Sequence, residues 1–406
     1  MILLSGAALV LPDRILSSGT LVIVDGRIAD IRAESPSVNG GHSHFAFDGH
    51  YIVPGFIDVH VHGVDGVDSL DAGSAIDAIA ERLPRYGVTA FCPTTVACGP
   101  ESLRRVLDQV RRARAARPPR AARVLPAHLE SNFINPDYKG AQPAGCLRSP
   151  RDAFGGSDES GDAAAPGVFS ASDIVREIER AAPDVGIVTL APELPGGLEL
   201  VRWLVARGHR VSLGHSAATF DEAQAAIAAG ARQATHLFNR MPPLGHRAPG
   251  LAGAVLQADE VAAELICDGV HVHPALVRTA IAAKHPSRVM AITDATAVAG
   301  LPVGSTALLG GTPIAAGPST AVLADGTVAG SILTMDRAFQ LLVGTIGLSL
   351  VDAATVCATT AARELGLTGH GILAPDAVAD LVVLDANFSV VQTYVAGQLV
   401  YARGPA

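Results

Sequence analysis

The chain has 406 residues, 49% hydrophobic and 17% charged, which is enough to bury a large core and build one barrel-sized domain with a small companion, so a disordered chain is excluded. A formal net charge of −9 argues against a broad nucleic-acid-binding face and leaves a small molecule as the expected partner. Five cysteines (Cys92, Cys98, Cys146, Cys267 and Cys357) are odd in number and include no Cys-X-X-Cys pair, which argues against a disulfide framework or structural zinc knot and favours a reducing cytoplasm.

The apolar start, MILLSGAALVLPDR, carries no basic leader and is broken at Pro12-Asp13, and no later run approaches the length of a membrane span. Neither export nor membrane insertion is expected. LVIVDGRIADIRA (21–33) places Asp-Gly between two alternating runs, the pattern of a hairpin. From residue 54 short apolar runs alternate with amphipathic stretches, as in parallel strands joined by crossover helices. The strand candidates are 54–62, 88–95, 123–130, 186–193, 209–216, 233–239, 262–269 and 288–295. Helices are predicted over 74–86, 101–116, 172–182, 198–207 and 220–229, each with apolar positions recurring at three and four residues. Residues 139–171, rich in Gly, Pro, Ser and Ala, form a long loop of the kind that often serves as a lid. The segment 310–330 reads as a strand-rich insertion, and 379–404 repeats the hairpin pattern of the amino terminus. The fold class is therefore α/β: a (β/α)8 TIM-type barrel over 54–369, beside a small discontinuous β-sandwich domain built from 1–53 and about 370–406.

Active sites of such barrels lie at the carboxyl ends of the strands. His60, His62, Glu130, Glu193, His215, His236, Asp268 and Asp294 all fall at or just beyond the ends of apolar runs. So many ionisable groups at one rim repel and desolvate one another unless a cation compensates them. In His60-Val61-His62 the two side chains share a face, because residues two apart on a strand do. Imidazole nitrogens and carboxylate oxygens suit zinc or another first-row divalent ion, which lowers the pKa of bound water to about 7 and polarises a carbonyl. Asp294, in ITDAT, is the candidate general base and acid, with a turn-capping aspartate as the plainer reading.

PGFIDVHVHG (54–63), VTLAPE (188–193), GHS (214–216), THLFNRMPPLGHRAPGLAGA (235–254), DGVHV (268–272) and TDAT (293–296) occur in the order that resembles the amidohydrolase superfamily and, within it, the N-acetylglucosamine-6-phosphate deacetylase family. The resemblance implies deacetylation of an amino sugar phosphate to glucosamine 6-phosphate and acetate. It implies that Glu130, His215 and His236 bind one principal ion, zinc being expected, and that Asp294 is the catalytic acid and base acting with metal-bound hydroxide. Ala141, Gln142, Asn239, Arg240, Arg247, His271, Val328, Ala329 and Gly330 are then substrate-binding, with phosphate gripped by Arg247, Asn239 and the backbone of Arg240. A homodimer is also implied, because phosphate contacts cross a subunit interface in this family.

The chain departs from the family at Ser131-Asn132, where Gly-Pro is usual after the metal glutamate, at Gln142 in place of a histidine, and at Arg240 in place of a small residue. These departures keep open another N-acylated amino sugar phosphate or related amide as substrate, and a silent sugar-phosphate-binding protein as a remoter alternative. The His60/His62 pair leads us to expect a second ion, sharing Glu130 or approaching Asp294. Glu193 is expected to support the site or close its strand, Thr94 and Thr95 to pack or hydrogen-bond, and Cys146 to be a spectator thiol. The basic run 104–123 has helical spacing and is expected to be a solvated outer helix.

Overall fold

The computed structural model describes residues 1–33, 43–154 and 169–404. The apolar runs become barrel strands in the expected order: Phe56–Val61, Val88–Thr95, Arg123–Val124 with Ala127–Glu130, Val185–Leu190, Arg210–Leu213, Gln233–Ala234, Ala262–Ile266 and Val289–Ile292. Each pairs in parallel with its neighbours, and a parallel bridge between Val61 and Ala295 joins the eighth to the first. The first two strands are buried along their whole length, because helices cover the outside of the sheet and side chains fill its inside. Pro126, which has no N–H to give the ladder, falls in the gap that divides the third strand.

The five predicted helices form at Ala75–Arg82, Pro100–Ala115, Ala171–Arg180, Gly197–Ala206 and Phe220–Ala228. Ser170 with Asp173 and Thr219 with Glu222 close reciprocal capping boxes, satisfying backbone donors that start those two helices. The basic run lies largely on Pro100–Ala115, whose arginines pair outward: Arg104 with Glu177, and Arg111 and Arg114 with Asp184.

Both chain ends meet in one sheet. Its order is Gln398–Ala402, Val390–Val395, Leu381–Leu384, Tyr51–Pro54, Ile2–Val10, Ile15–Val24 and Arg27–Arg32, with Ser43–Ala46 added beside the start of Ile2–Val10. Leu4, Leu9, Leu21, Ile28, Ile52, Leu381 and Tyr394 share an apolar core separate from that of the barrel. Tyr51–Pro54 runs through Gly55 directly into the first barrel strand, so the terminal sheet is tied to the segment that carries His60 and His62. The insertion after the eighth strand is a three-stranded sheet, Thr306–Leu309, Thr312–Ala316 and Ala321–Val322. The loop expected over 139–171 contains short 3-10 turns at Ala144–Cys146 and Pro150–Ala153, and its part from 155 to 168 lies outside the described residues. Among the described residues no helix is long and apolar enough to cross a membrane.

Candidate metal centre and active site

Regular strand pairing stops earlier than the apolar runs do. The sixth barrel strand is only Gln233–Ala234, because His236, Phe238 and Arg240 take positive φ of 31°, 76° and 53° and turn the chain away from the ladder. His215 and Asp294 are also left-handed, each at φ 48°. A non-glycine residue in that region carries steric strain, and five such residues at one rim mark a place where side-chain aim outweighs backbone comfort. Two glycines permit the close packing around them. A Cβ on Gly214 would lie 2.7 Å from that of Thr235, and one on Gly330 would lie 2.9 Å from the Asp294 carbonyl oxygen.

The barrel mouth brings His60, His62, Glu130, His215, His236 and Asp294 together. Glu130 Oε1 lies 2.8 Å from His215 Nε2 and 2.9 Å from His236 Nε2, and the two imidazole nitrogens are 3.1 Å apart. The second group adjoins it: His60 Nε2 and His62 Nε2 are 3.2 Å apart and lie 3.4 and 3.3 Å from Asp294 Oδ1, while His62 Nε2 is 3.4 Å from Glu130 Oε2. All six residues are buried.

The hydrogen bonds on the far sides of the rings fix what these nitrogens can do. His215 Nδ1 faces the Tyr138 carbonyl oxygen at 2.7 Å, so Nδ1 carries the ring proton and Nε2 presents a lone pair. His60 Nδ1 faces Glu264 Oε2 at 3.0 Å and is oriented in the same way. The Nε2 atoms of His215 and His236 and Oε1 of Glu130 thus converge on one point, with separations close to the edges of a ligand shell having bonds of about 2.0–2.1 Å. The donor set fits a divalent first-row cation, and His60, His62 and Glu130 form an adjoining set.

Charge alone binds the cluster tightly. Burial pushes the Glu130 carboxyl up, but His215, His236 and His62 overcome it and hold the group well below the usual carboxylate range. For His60 and His62 burial disfavours the cation, yet Asp294 and the neighbouring glutamates raise them to about 9 and about 10. Asp294 is lowered despite its burial, mainly by His60 and His62.

Above these groups opens a cavity of about 510 Å³. Its walls include Ala141, Gln142, Asn239, Arg240, His271, Val328 and Gly330 of the predicted substrate-binding set, while Ala329 is buried in the insertion behind them. His271 Nδ1 lies 2.5 Å from Asp268 Oδ2, and burial is outweighed by that carboxylate, so the ring is raised above its ordinary value. Its Nε2 is buried with no partner among the described residues, leaving a ring nitrogen free for a ligand in the cavity. The geometry does not bring in Arg247, which is exposed and lines a different cavity of about 470 Å³ with Thr219 and Pro249.

Glu193 accepts hydrogen bonds from Asn135 Nδ2 at 2.9 Å, Ser216 Oγ at 2.7 Å and Ala217 N at 2.6 Å, clamping the turn that follows His215. Thr94 Oγ1 accepts the Val61 N–H at 2.9 Å, between the paired histidines. Cys146 is half-buried and lies outside the cavity lining. Asp294 makes no capping bond to the turn after it, and its own N–H donates to the His60 carbonyl at 3.0 Å.

Glu264 and His128 escaped sequence reasoning. Glu264 accepts from His60, from Gln233 Nε2 at 2.5 Å and from the His236 N–H at 3.3 Å. Its signal was available: a carboxylate in the middle of the apolar run AAELI must have buried partners. His128 sits two residues before Glu130 and bonds Val59 O at 2.9 Å and Thr189 Oγ1 at 2.8 Å. Burial drives its pKa down to about 4, so it serves as a neutral spacer under the His60 ring.

Residues 51–400 match the model of the amidohydrolase family. The chain is 37% identical to human N-acetylglucosamine-6-phosphate deacetylase, the match covering 96% of this chain and 90% of the human one. It is 34% identical to N-acetylgalactosamine-6-phosphate deacetylase of Escherichia coli O157:H7, with 95% of each covered. Among solved structures it is similar to a mutant of N-acetyl-D-glucosamine-6-phosphate deacetylase from Mycobacterium smegmatis in complex with N-acetyl-D-glucosamine-6-phosphate. That similarity has a TM-score of 0.85 at 32% identity, covering 98% of this chain and 99% of the other.

Proposed function

The chain belongs to the amidohydrolase family, and we propose that it removes the acetyl group of N-acetylglucosamine 6-phosphate, releasing glucosamine 6-phosphate and acetate. The observation that carries this reading is the convergence of Glu130, His215 and His236 beneath a cavity that also holds Asp294 and His271. A divalent ion on those three residues, for which we propose zinc, acidifies water and polarises an amide carbonyl.

Asp294 is held ionised between His60 and His62, so it accepts the proton of the attacking water. The same carboxyl then gives that proton to the amine nitrogen as the C–N bond breaks. His271, held by Asp268, and Arg240 at the cavity wall bind the phosphate, with Asn239 and the backbone at Arg240 completing the grip. Arg247 lies outside the cavity above the metal centre, and we propose that it serves the phosphate site of a partner in a homodimer. Five free cysteines support a cytoplasmic setting.

Purified protein supplied with zinc is expected to release acetate from N-acetylglucosamine 6-phosphate, and Asp294→Asn to lower kcat by about 10²–10⁴-fold while retaining the principal metal ion. Turnover by that variant at the wild-type rate removes Asp294 from its role. A second reading, the galactosamine counterpart as substrate, is favoured by the 34% identical relative.

A further inference from the structure

Gln142 is buried at the cavity wall and held at both ends. Its Oε1 accepts the Ala97 backbone N–H at 2.7 Å, and since a backbone N–H can only donate, the amide cannot flip without setting two donors face to face. Its Nε2 therefore donates to Glu130 Oε2. The two oxygens of Glu130 are thus divided: Oε1 faces His215 and His236, while Oε2 is engaged by Gln142 on the side where His62 Nε2 approaches to 3.4 Å. An ion on His60 and His62 that needs a carboxylate oxygen from Glu130 competes with the Gln142 amide for it.

We infer that Gln142 is a positioning residue that makes the two metal positions unequal, directing Glu130 to the His215/His236 ion and weakening a second ion on His60 and His62. The inference rests on the reading of Glu130, His215 and His236 as metal ligands. Removing the donor frees Oε2, and losing one charge-assisted hydrogen bond from the competing state corresponds to roughly tenfold tighter binding of the second ion.

The test is calorimetric titration of metal-free protein with zinc, with bound metal measured after gel filtration. It compares wild type, Gln142→Met, which keeps the side-chain length without a donor, and Gln142→Ala, each with and without His62→Ala. The wild type is expected to hold one ion tightly and a second more weakly. Both Gln142 variants should bind the second ion about tenfold more tightly, and the gain should vanish with His62→Ala. Equal occupancy of two positions in the wild type, or a second-ion affinity unchanged in both Gln142 variants, overturns the inference while leaving the hydrolase reading intact. A gain that survives His62→Ala also overturns it, because the extra ion is then bound elsewhere. Failure of the wild type to bind any zinc overturns the metal reading itself.

Discussion

Replacing Glu264 with glutamine changes one atom's chemistry and little of its shape. Glu264 is fully buried and receives donors only: the His60 ring, the Gln233 amide and the His236 backbone N–H. A glutamine exchanges one acceptor oxygen for an NH2, so at least one of these donors must face another. If the NH2 faces His60, the ring can restore the bond only by moving its proton to Nε2, the atom 3.2 Å from His62 Nε2, and a protonated nitrogen cannot ligate. If it faces Gln233, that amide can turn over only by giving up the bond that its Oε1 accepts from Arg210 Nε at 2.6 Å. An unsatisfied buried donor costs about 1–3 kcal/mol, and loss of a ligand's outer partner reduces metal affinity about 10–100-fold. Denaturant unfolding of the metal-free protein should therefore show a loss of that size, and zinc titration should show the weakened position that His60 serves. Wild-type values in both assays refute the role given to Glu264.

Substituting His271 with alanine should raise KM for the phosphorylated sugar about tenfold or more and change kcat little, as follows from the phosphate-binding role proposed for it; steady-state kinetics at saturating zinc checks this. Glu364 should matter to stability alone. It pairs with Arg210 at 2.6 Å, Arg288 at 3.0 Å and Arg363 at 2.6 Å, at the amino-terminal ends of the barrel strands, opposite the ends that carry the metal-site residues. Burial would raise its carboxyl, and the arginines more than offset this, leaving it below 4.5. A lowered folded-state value means that this stabilisation is present above the unfolded carboxyl's pKa and is lost as pH falls through the folded one. Glu364→Gln should cost about 1–2 kcal/mol at pH 7 after discounting the half-exposed arginines for solvent screening, and less as the pH falls below 4, with kcat/KM unchanged. Denaturant melts at several pH values report it.

The barrel was legible because its strands are buried on both faces and read as unbroken apolar runs, while its helices show a 3.6-residue period and, at Ser170 and Thr219, capping residues. Pairing ended short of the runs at His215, His236 and Asp294 because left-handed backbone follows from what the side chains must reach across the barrel, which no local pattern encodes. Glu130, His215, His236, His60, His62 and Asp294 stood out as polar groups closing apolar runs, and they meet at one point. Glu264 was hidden by the opposite circumstance. It lies inside a run rather than at its end, and its partners come from strands 28 to 204 residues away. Gln142 was visible as a departure from a family pattern, but its hold on both Ala97 and Glu130 depends on a loop whose path sequence does not specify.

The central claim is tested most directly by measuring acetate release from N-acetylglucosamine 6-phosphate, N-acetylgalactosamine 6-phosphate and unphosphorylated N-acetylglucosamine with the zinc-loaded wild type. The account predicts the highest kcat/KM for N-acetylglucosamine 6-phosphate and a loss of at least about a hundredfold without the phosphate, which removes charge-assisted bonds worth about 3 kcal/mol. A preference for the unphosphorylated sugar, or no acetate from any of the three, would contradict it.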